Sequence, residues 1–96
     1  MEVTFEHTKE NAKGMFIMNL GGEAAANMTY SRIDANNIIV DHTAVAPSMK
    51  GKGVGKQIVQ HMVDWARENN QKVLPLCPFA KSVIERNPEM QDILRK

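Results

Sequence analysis

At residue 54 the hydrophobic period of this chain changes, and that change restricts what can be built around it. Residues 38–45 form an apolar, β-branched run opened by Ile38, Ile39 and Val40 and reaching Val45, the pattern of a central strand covered on both faces. Pro47 stops it, having no N–H for a sheet ladder. From 54 to 69 the period is helical. Val54, Ile58, Met62, Trp65 and Ala66 make one stripe, Val59 and Val63 widen it, and Lys52, Lys56, Gln57, Gln60, Asp64, Arg67 and Glu68 mostly take the wet side. Asn69-Asn70 then suits a helix stop, since asparagine tolerates the left-handed cap conformation. A further strand spans 73–77. Strand, helix and strand in this order imply a parallel crossover connection.

The first third reads as an antiparallel meander, because short apolar or alternating runs are separated by turn residues. Val3 and Phe5 alternate with Glu2, Thr4 and Glu6, and Lys13-Gly14 precedes the apolar run 15–18. Gly21-Gly22 supplies a tight turn to a return strand over 24–30, and 34–37 forms the next turn. After the fifth strand, 79–85 reads as a short helix with Val83 and Ile84 inward. Asn87-Pro88-Glu89 then opens a last helix carrying Met90, Ile93 and Leu94, with Asn as N-cap and Pro at the first helical position. The order is ββββαβαα, an α/β (α+β) domain with a mixed sheet. Ninety-six residues suit one domain over 1–96, since single cores run to about 100–150 residues.

The most informative segment joins the fourth strand to the long helix: Val45-Ala46-Pro47-Ser48-Met49-Lys50-Gly51-Lys52-Gly53-Val54-Gly55-Lys56. Alternating glycines let backbone approach a ligand closely, and the following helix leaves its first amides unpaired at the positive end of its dipole. That combination is an anion site, most naturally for phosphate. Lys50, Lys52 and Lys56 reinforce it, and no carboxylate occurs from 42 to 63. Two nucleotide loops fit poorly. A Walker loop needs Ser or Thr after its Gly-Lys pair, whereas Gln57 follows Gly55-Lys56, and a dinucleotide fingerprint needs a third glycine where Lys56 stands. A flexible turn with solvated lysines is the plain alternative.

Val73-Leu74-Pro75-Leu76-Cys77-Pro78 is the second such feature. Pro75 and Pro78 donate no hydrogen bond, so this strand cannot zip fully onto a neighbour, and the fourth and fifth strands are expected to splay at their C-terminal ends. A gap between parallel strands beside a helix N-terminus is where such sheets bind ligands; an ordinary edge strand is the alternative. Twelve Lys and Arg against eleven Asp and Glu give a net charge of +1, which argues against a nucleic-acid or membrane partner. A single cysteine, Cys77, excludes an intrachain disulfide and any cysteine-pair zinc site. Nothing reads as a signal peptide or an apolar span, so a cytoplasmic protein without a metal is expected.

Together these elements resemble the GNAT superfamily of acetyltransferases. Its coenzyme A signature, Gln/Arg-x-x-Gly-x-Gly/Ala, maps onto Lys50-x-x-Gly53-x-Gly55, with Lys50 departing from Gln or Arg. The resemblance is closer to the minimal, single-domain YjdJ-type GNAT-like N-acetyltransferases. In these a His-Thr-x-Val strand, a Gly-x-Gly loop and a Leu-Cys-Pro-Phe/Tyr segment recur; here they are His42-Thr43-Ala44-Val45, Gly51 to Gly55, and Leu76-Cys77-Pro78-Phe79. The resemblance implies acetyl-CoA as co-substrate, lying in the splay. Thr43, Ala44 and Val45 would meet the pantetheine through backbone groups. Lys50, Gly51, Lys52, Gly53, Val54, Gly55 and Lys56 would hold the pyrophosphate.

Transfer to an amine needs a deprotonated acceptor, a polarised thioester and a protonated leaving thiolate. Many relatives use a carboxylate base and a tyrosine acid; here Ala44 stands where related sequences can carry Glu, and the only tyrosine, Tyr30, lies upstream. Direct transfer then leans on His42 or a water as base. A second route makes Cys77, just before a helix, a nucleophile that carries the acetyl group, with His42 activating it across the gap. Against these stand a Cys77 that only packs and a His42 that is an ordinary sheet histidine. His7 and His61 read as surface or structural, Trp65 and the methionines as core, Phe79 as core rather than coenzyme cover, and Arg86 and Lys81 as solvated charges rather than phosphate ligands. The function expected is N-acetylation of an amine on a small molecule or protein. The alternative, from another class, is an acetyl-CoA-binding interaction or sensor module with little turnover. So short a chain leaves almost no residues for an acceptor-gripping lid, which implies an open acceptor side.

Overall fold

The computed structural model describes residues 2–95. Strands β1 (Val3–Glu10), β2 (Lys13–Leu20), β3 (Glu23–Asp34) and β4 (Asn37–Val45) run antiparallel in sequence order, and β5 (Lys72–Pro75) joins β4 in parallel. The crossover is α1 (Val54–Glu68), and α2 (Pro78–Glu85) follows β5. The β2–β3 turn places Gly21 and Gly22 at φ of 60° and 84°, the pair of positive values that matches the twist of a tight hairpin. β3 is longer than the expected 24–30, because Ser31, Arg32 and Asp34 go on pairing with Ile39, Ile38 and Asn37.

One face of the sheet carries Phe16, Met18, Met28, Tyr30, Ile38 and Val40, all buried beneath Ile58, Val59, Met62, Val63 and Ala66 of α1. Trp65 packs edge-on against both Phe16 and His7, and the ring of His7 stacks on Phe16 while its Nε2 pairs with the Tyr30 hydroxyl at 2.7 Å. The alternate residues Met15, Ile17, Asn27, Thr29 and Ile39 are only half-buried. The 38–45 run is therefore covered on one face, not two. Tight turns join the first four strands, so every helix of the described residues comes from the chain after β4, and α1 takes a single side.

A one-residue bulge interrupts β4. Tyr30 faces Val40 and Thr29 faces His42, leaving Asp41 without a partner across the ladder. Side chains alternate along a strand, so the bulge resets which residues look inward. Thr43 and Val45, opposite the buried Met28 and Ala26, join the helix-covered face, whereas His42, opposite Thr29, turns to the bare face.

The last segment, Pro88–Ile93, is a 3₁₀-helix rather than the α-helix expected there. Met90 and Ile93 are its buried residues, and side chains at i and i+3 eclipse at three residues per turn. Arg67 ties the segment down, donating to the Glu89 carbonyl at 3.0 Å and to both Asp92 carboxylate oxygens.

Candidate functional site

The β4–β5 ladder runs only from Asn37 opposite Lys72 to Val40 opposite Pro75. Proline ends it, and the next two amides, of Leu76 and Cys77, both donate to the Val40 carbonyl at 3.1 and 3.2 Å. The chain thus pivots around one acceptor and leaves, so β5 stops at Pro75 instead of continuing to residue 77. β4 proceeds to Val45, held by β3 on one side as far as Ala26 opposite Val45, with no strand on its other edge. A stretch of extended backbone is thereby left with unpaired donors and acceptors facing a gap.

At the end of that edge the glycine loop turns into α1. A 3₁₀ turn, Pro47–Met49, buries Met49 and anchors the loop. Gly51 and Gly53 then adopt φ of 80° and 74°, a left-handed region that side-chain-bearing residues rarely occupy. Gly53 is the N-cap of α1 and contributes no side chain, and the first turn carries no acidic residue. The leading amides of the helix are therefore bare toward the loop.

These elements wall a cavity of about 840 Å³. Thr43, Ala44 and Val45 form its strand side, Met49, Lys50, Gly51, Gly53, Val54, Gly55 and Lys56 its loop and helix side, and Phe79, Val83, Arg86 and Asn87 the opposite wall. The two helices meet at Gly55, where a Cβ would lie 2.3 Å from Cζ of Phe79. Among the described residues the ion pairs both belong to Arg67, with Asp64 and Asp92. Lys50, Lys56 and Arg86 thus face the cavity with their charge uncompensated by a carboxylate.

Cys77 sits behind the strand side, 5% exposed, as the N-cap residue of α2. Its Sγ donates to Thr43 Oγ1 at 3.4 Å. Burial pushes this thiol up, but the Thr43 hydroxyl and the backbone amides of Ala80, Phe79 and Thr43 outweigh it and hold the thiol below its ordinary value. In the neutral thiol no side-chain cap bond closes on the helix. The amides stabilise charge on sulfur.

The structure brings together most of the residues singled out from the sequence: Thr43, Ala44, Val45, Lys50, Gly51, Gly53, Val54, Gly55 and Lys56 share one cavity. Lys52 is exposed outside it, and Cys77 borders it through Thr43. His42 and Cys77 are not brought together. The bulge at Asp41 turns His42 onto the bare face while Cys77 bonds Thr43 on the covered one, so activation of the thiol by this imidazole across the gap has no geometric basis. Phe79 is 41% exposed and lines the cavity, against its reading as core, and Arg86, exposed as a solvated charge would be, lines it too. Met49, Val83 and Asn87 went unseen. A signal for the α2 wall existed, since Phe79, Val83 and Arg86 recur at i, i+4 and i+7 along one helix face. Among the described residues no group of three or more His, Cys, Asp or Glu is placed to hold a metal, and no helix is long and apolar enough to cross a membrane.

Comparison with known proteins agrees with this architecture. Residues 15–93 match the family described as GCN5-related N-acetyl-transferase. No curated protein matches the chain. A GCN5-like protein from Staphylococcus aureus, solved in solution by NMR, is 36% identical, with a TM-score of 0.70 over 94% of this chain and 87% of that one. A ribosomal-protein-alanine N-acetyltransferase from Brucella melitensis shares the fold at 19% identity and a TM-score of 0.68; the match spans 81% of this chain and 62% of that one. A GNAT family acetyltransferase from Elizabethkingia anophelis, crystallised with acetyl-CoA bound, does so at 11% identity and a TM-score of 0.66, over 76% of this chain and 63% of its own. With its splayed parallel strands, its glycine-capped helix and a family match over most of its length, this chain belongs to the GCN5-related N-acetyl-transferases.

Proposed function

We propose that this chain is an acetyl-CoA-dependent N-acetyltransferase of the minimal YjdJ type that passes the acetyl group to an amine through Cys77. The observation that carries the reading is that the free edge of β4, the bare helix amides and two uncompensated lysines open into one cavity. The residues fit the donor. Backbone groups of Thr43 to Val45 extend the sheet onto the pantetheine amides, and the loop amides with Lys50 and Lys56 neutralise the pyrophosphate. A volume of about 840 Å³ is in the upper range for small-molecule sites.

Cys77 is held by Thr43 at the root of the splay. As thiolate, its sulfur attacks the thioester carbonyl carbon, the bond to the coenzyme sulfur breaks, and that sulfur leaves as thiolate to be protonated. A neutral amine then attacks the acetyl-cysteine carbonyl; the carbon–sulfur bond breaks, Cys77 is regenerated, and the amine nitrogen loses a proton. His42 lies on the opposite face from Cys77, so water is the group available to take that proton from the acceptor. The open face accommodates a small amine or a protein tail.

One observation favours the second reading, a module that binds acetyl-CoA with little turnover: Cys77 is 5% exposed and stands behind the cavity wall rather than in it. Intact mass spectrometry after incubation with acetyl-CoA separates the two. The transfer reading expects one labile acetyl adduct that Cys77→Ala abolishes, with coenzyme release stimulated by added amine. An adduct that survives Cys77→Ala overturns the cysteine route. Binding without adduct or amine-dependent release across a broad acceptor panel establishes the module.

A further inference from the structure

The cavity is charged on two opposed walls, and the proposed function uses only one of them. On the loop side stand Lys50, Lys56 and the amides opening α1; on the other, at the far end of α2, stands Arg86. Phe79, at the near end of α2, touches α1 at Gly55. Arg86 follows Phe79 by seven positions, a helical rise of about 10 Å. The second cation is therefore displaced along the cavity from the phosphate cradle.

Arg86 also differs from the two arginines whose guanidinium groups are occupied. Arg67 is locked on Asp92 and Asp64, and Arg32 donates to the Asp34 and Ala35 carbonyls and to Gln71. Arg86 spends only its Nε, on the Ser82 carbonyl at 3.3 Å, among the described residues. That bond already satisfies the helix-end carbonyl that a C-terminal cation would be kept for. The two terminal nitrogens of the fork remain, and a fork of two parallel N–H donors matches phosphate bidentately.

We infer that Arg86 is a specificity-determining residue that reads the ribose 3′-phosphate of the donor, so that the site distinguishes coenzyme A from its 3′-dephospho form. The inference rests on the proposed acetyl-CoA site. A donor whose pyrophosphate lies on the loop carries one further phosphate, on the adenosine ribose, separated from the first two. Asn87, beside Arg86 in the same wall, donates its Nδ2 to the Val83 carbonyl at 2.6 Å and fixes the end of the helix from which Arg86 reaches out.

Isothermal titration of the full chain with coenzyme A and with 3′-dephospho-coenzyme A tests this. The wild type is expected to bind coenzyme A about tenfold more tightly, equivalent to about 1.4 kcal/mol. Arg86→Gln brings the two affinities together by weakening coenzyme A alone, and Arg86→Lys retains part of the preference. Lys56→Gln weakens both ligands by the same factor, and raising the salt concentration narrows the wild-type preference. Equal affinities in the wild type, or an undiminished preference in Arg86→Gln, overturn the role of Arg86 while leaving the acetyl-CoA site standing. Failure of the wild type to bind either ligand overturns both.

Discussion

Replacing Gly55 with alanine separates the site from the fold, because the two effects of the added methyl have different sizes. The new Cβ would lie 2.3 Å from Phe79 Cζ and 2.8 Å from its Cε2. Ordinary carbon contacts lie at about 3.5–4.0 Å, so the ring must retreat by about 1.2–1.7 Å. It can, since the atoms met are the far end of a side chain 41% exposed to solvent. Overpacking in a closed core costs about 1–3 kcal/mol. Here the lower end applies, and it is offset by about 0.5–1 kcal/mol from replacing glycine inside a helix. Net stability is expected to change by less than about 1 kcal/mol, or a Tm shift within about 8 °C for a domain of this size. The cavity fares differently, because Phe79 is one of its walls and displacing the ring reshapes that wall. Affinity for acetyl-CoA is expected to fall at least tenfold, about 1.4 kcal/mol. Thermal denaturation with and without ligand measures both quantities on one sample. A Tm loss well beyond 8 °C would show that Phe79 is locked rather than mobile, and unchanged affinity would show that this wall is not part of the site; either result refutes the reasoning.

Gly14 offers the opposite case: its added Cβ would come within 2.2 Å of the Tyr30 ring, which is 2% exposed and bonded to His7. With nowhere for the ring to go, Gly14→Ala is expected to cost about 2–4 kcal/mol, from overpacking and the lost hydrogen bond, and urea denaturation reads this directly. Burial holds His7 below the ordinary imidazole value of 6.5, helped by Lys9, His61 and Arg32; burial does the same for His61, against the opposing pull of Asp64 and Glu68. The unfolded chain therefore protonates first, so stability from these groups is complete above pH 6.5 and is lost as pH falls through their lower folded values. A Tm measured against pH should be level near neutrality and decline in mild acid, with His61→Gln, which removes the ring stacked on Phe5, showing a shallower decline. Thr43→Val removes the hydroxyl that stabilises charge on Cys77. The midpoint for alkylation of Cys77 by iodoacetamide is expected to rise, and an unmoved midpoint would assign the lowered thiol to the backbone amides alone.

Local chemistry carried much of this protein into plain view. The stripe from Val54 to Ala66 became the buried face of α1, because helical periodicity survives any tertiary context that has a core to bury. Gly51 and Gly53 took the positive φ that made them worth noting. Pro75 ended the fifth strand, as a residue without an N–H must. What the sequence did not disclose follows from contacts between distant segments. The β-branched run of β4 looks the same whether one face or both are covered, and only the supply of helices decided it. The bulge at Asp41 depends on how β3 and β4 align, and it sent His42 and Cys77 to opposite faces although both follow closely on the point where β4 and β5 part.

By itself, the order of periods and turn residues determined a mixed sheet with a parallel crossover and a glycine-rich, lysine-bearing loop between its fourth strand and its helix, because each of those is written within a dozen neighbouring residues. Tertiary structure alone decided that Phe79, Val83 and Arg86 would close the cavity opposite that loop, since a solvated helix face and a ligand-facing one have the same spacing and differ only in what lies across from them. It also decided that Thr43, and not His42, would be the neighbour of Cys77, because a single unpaired residue in a ladder inverts the facing of every residue after it.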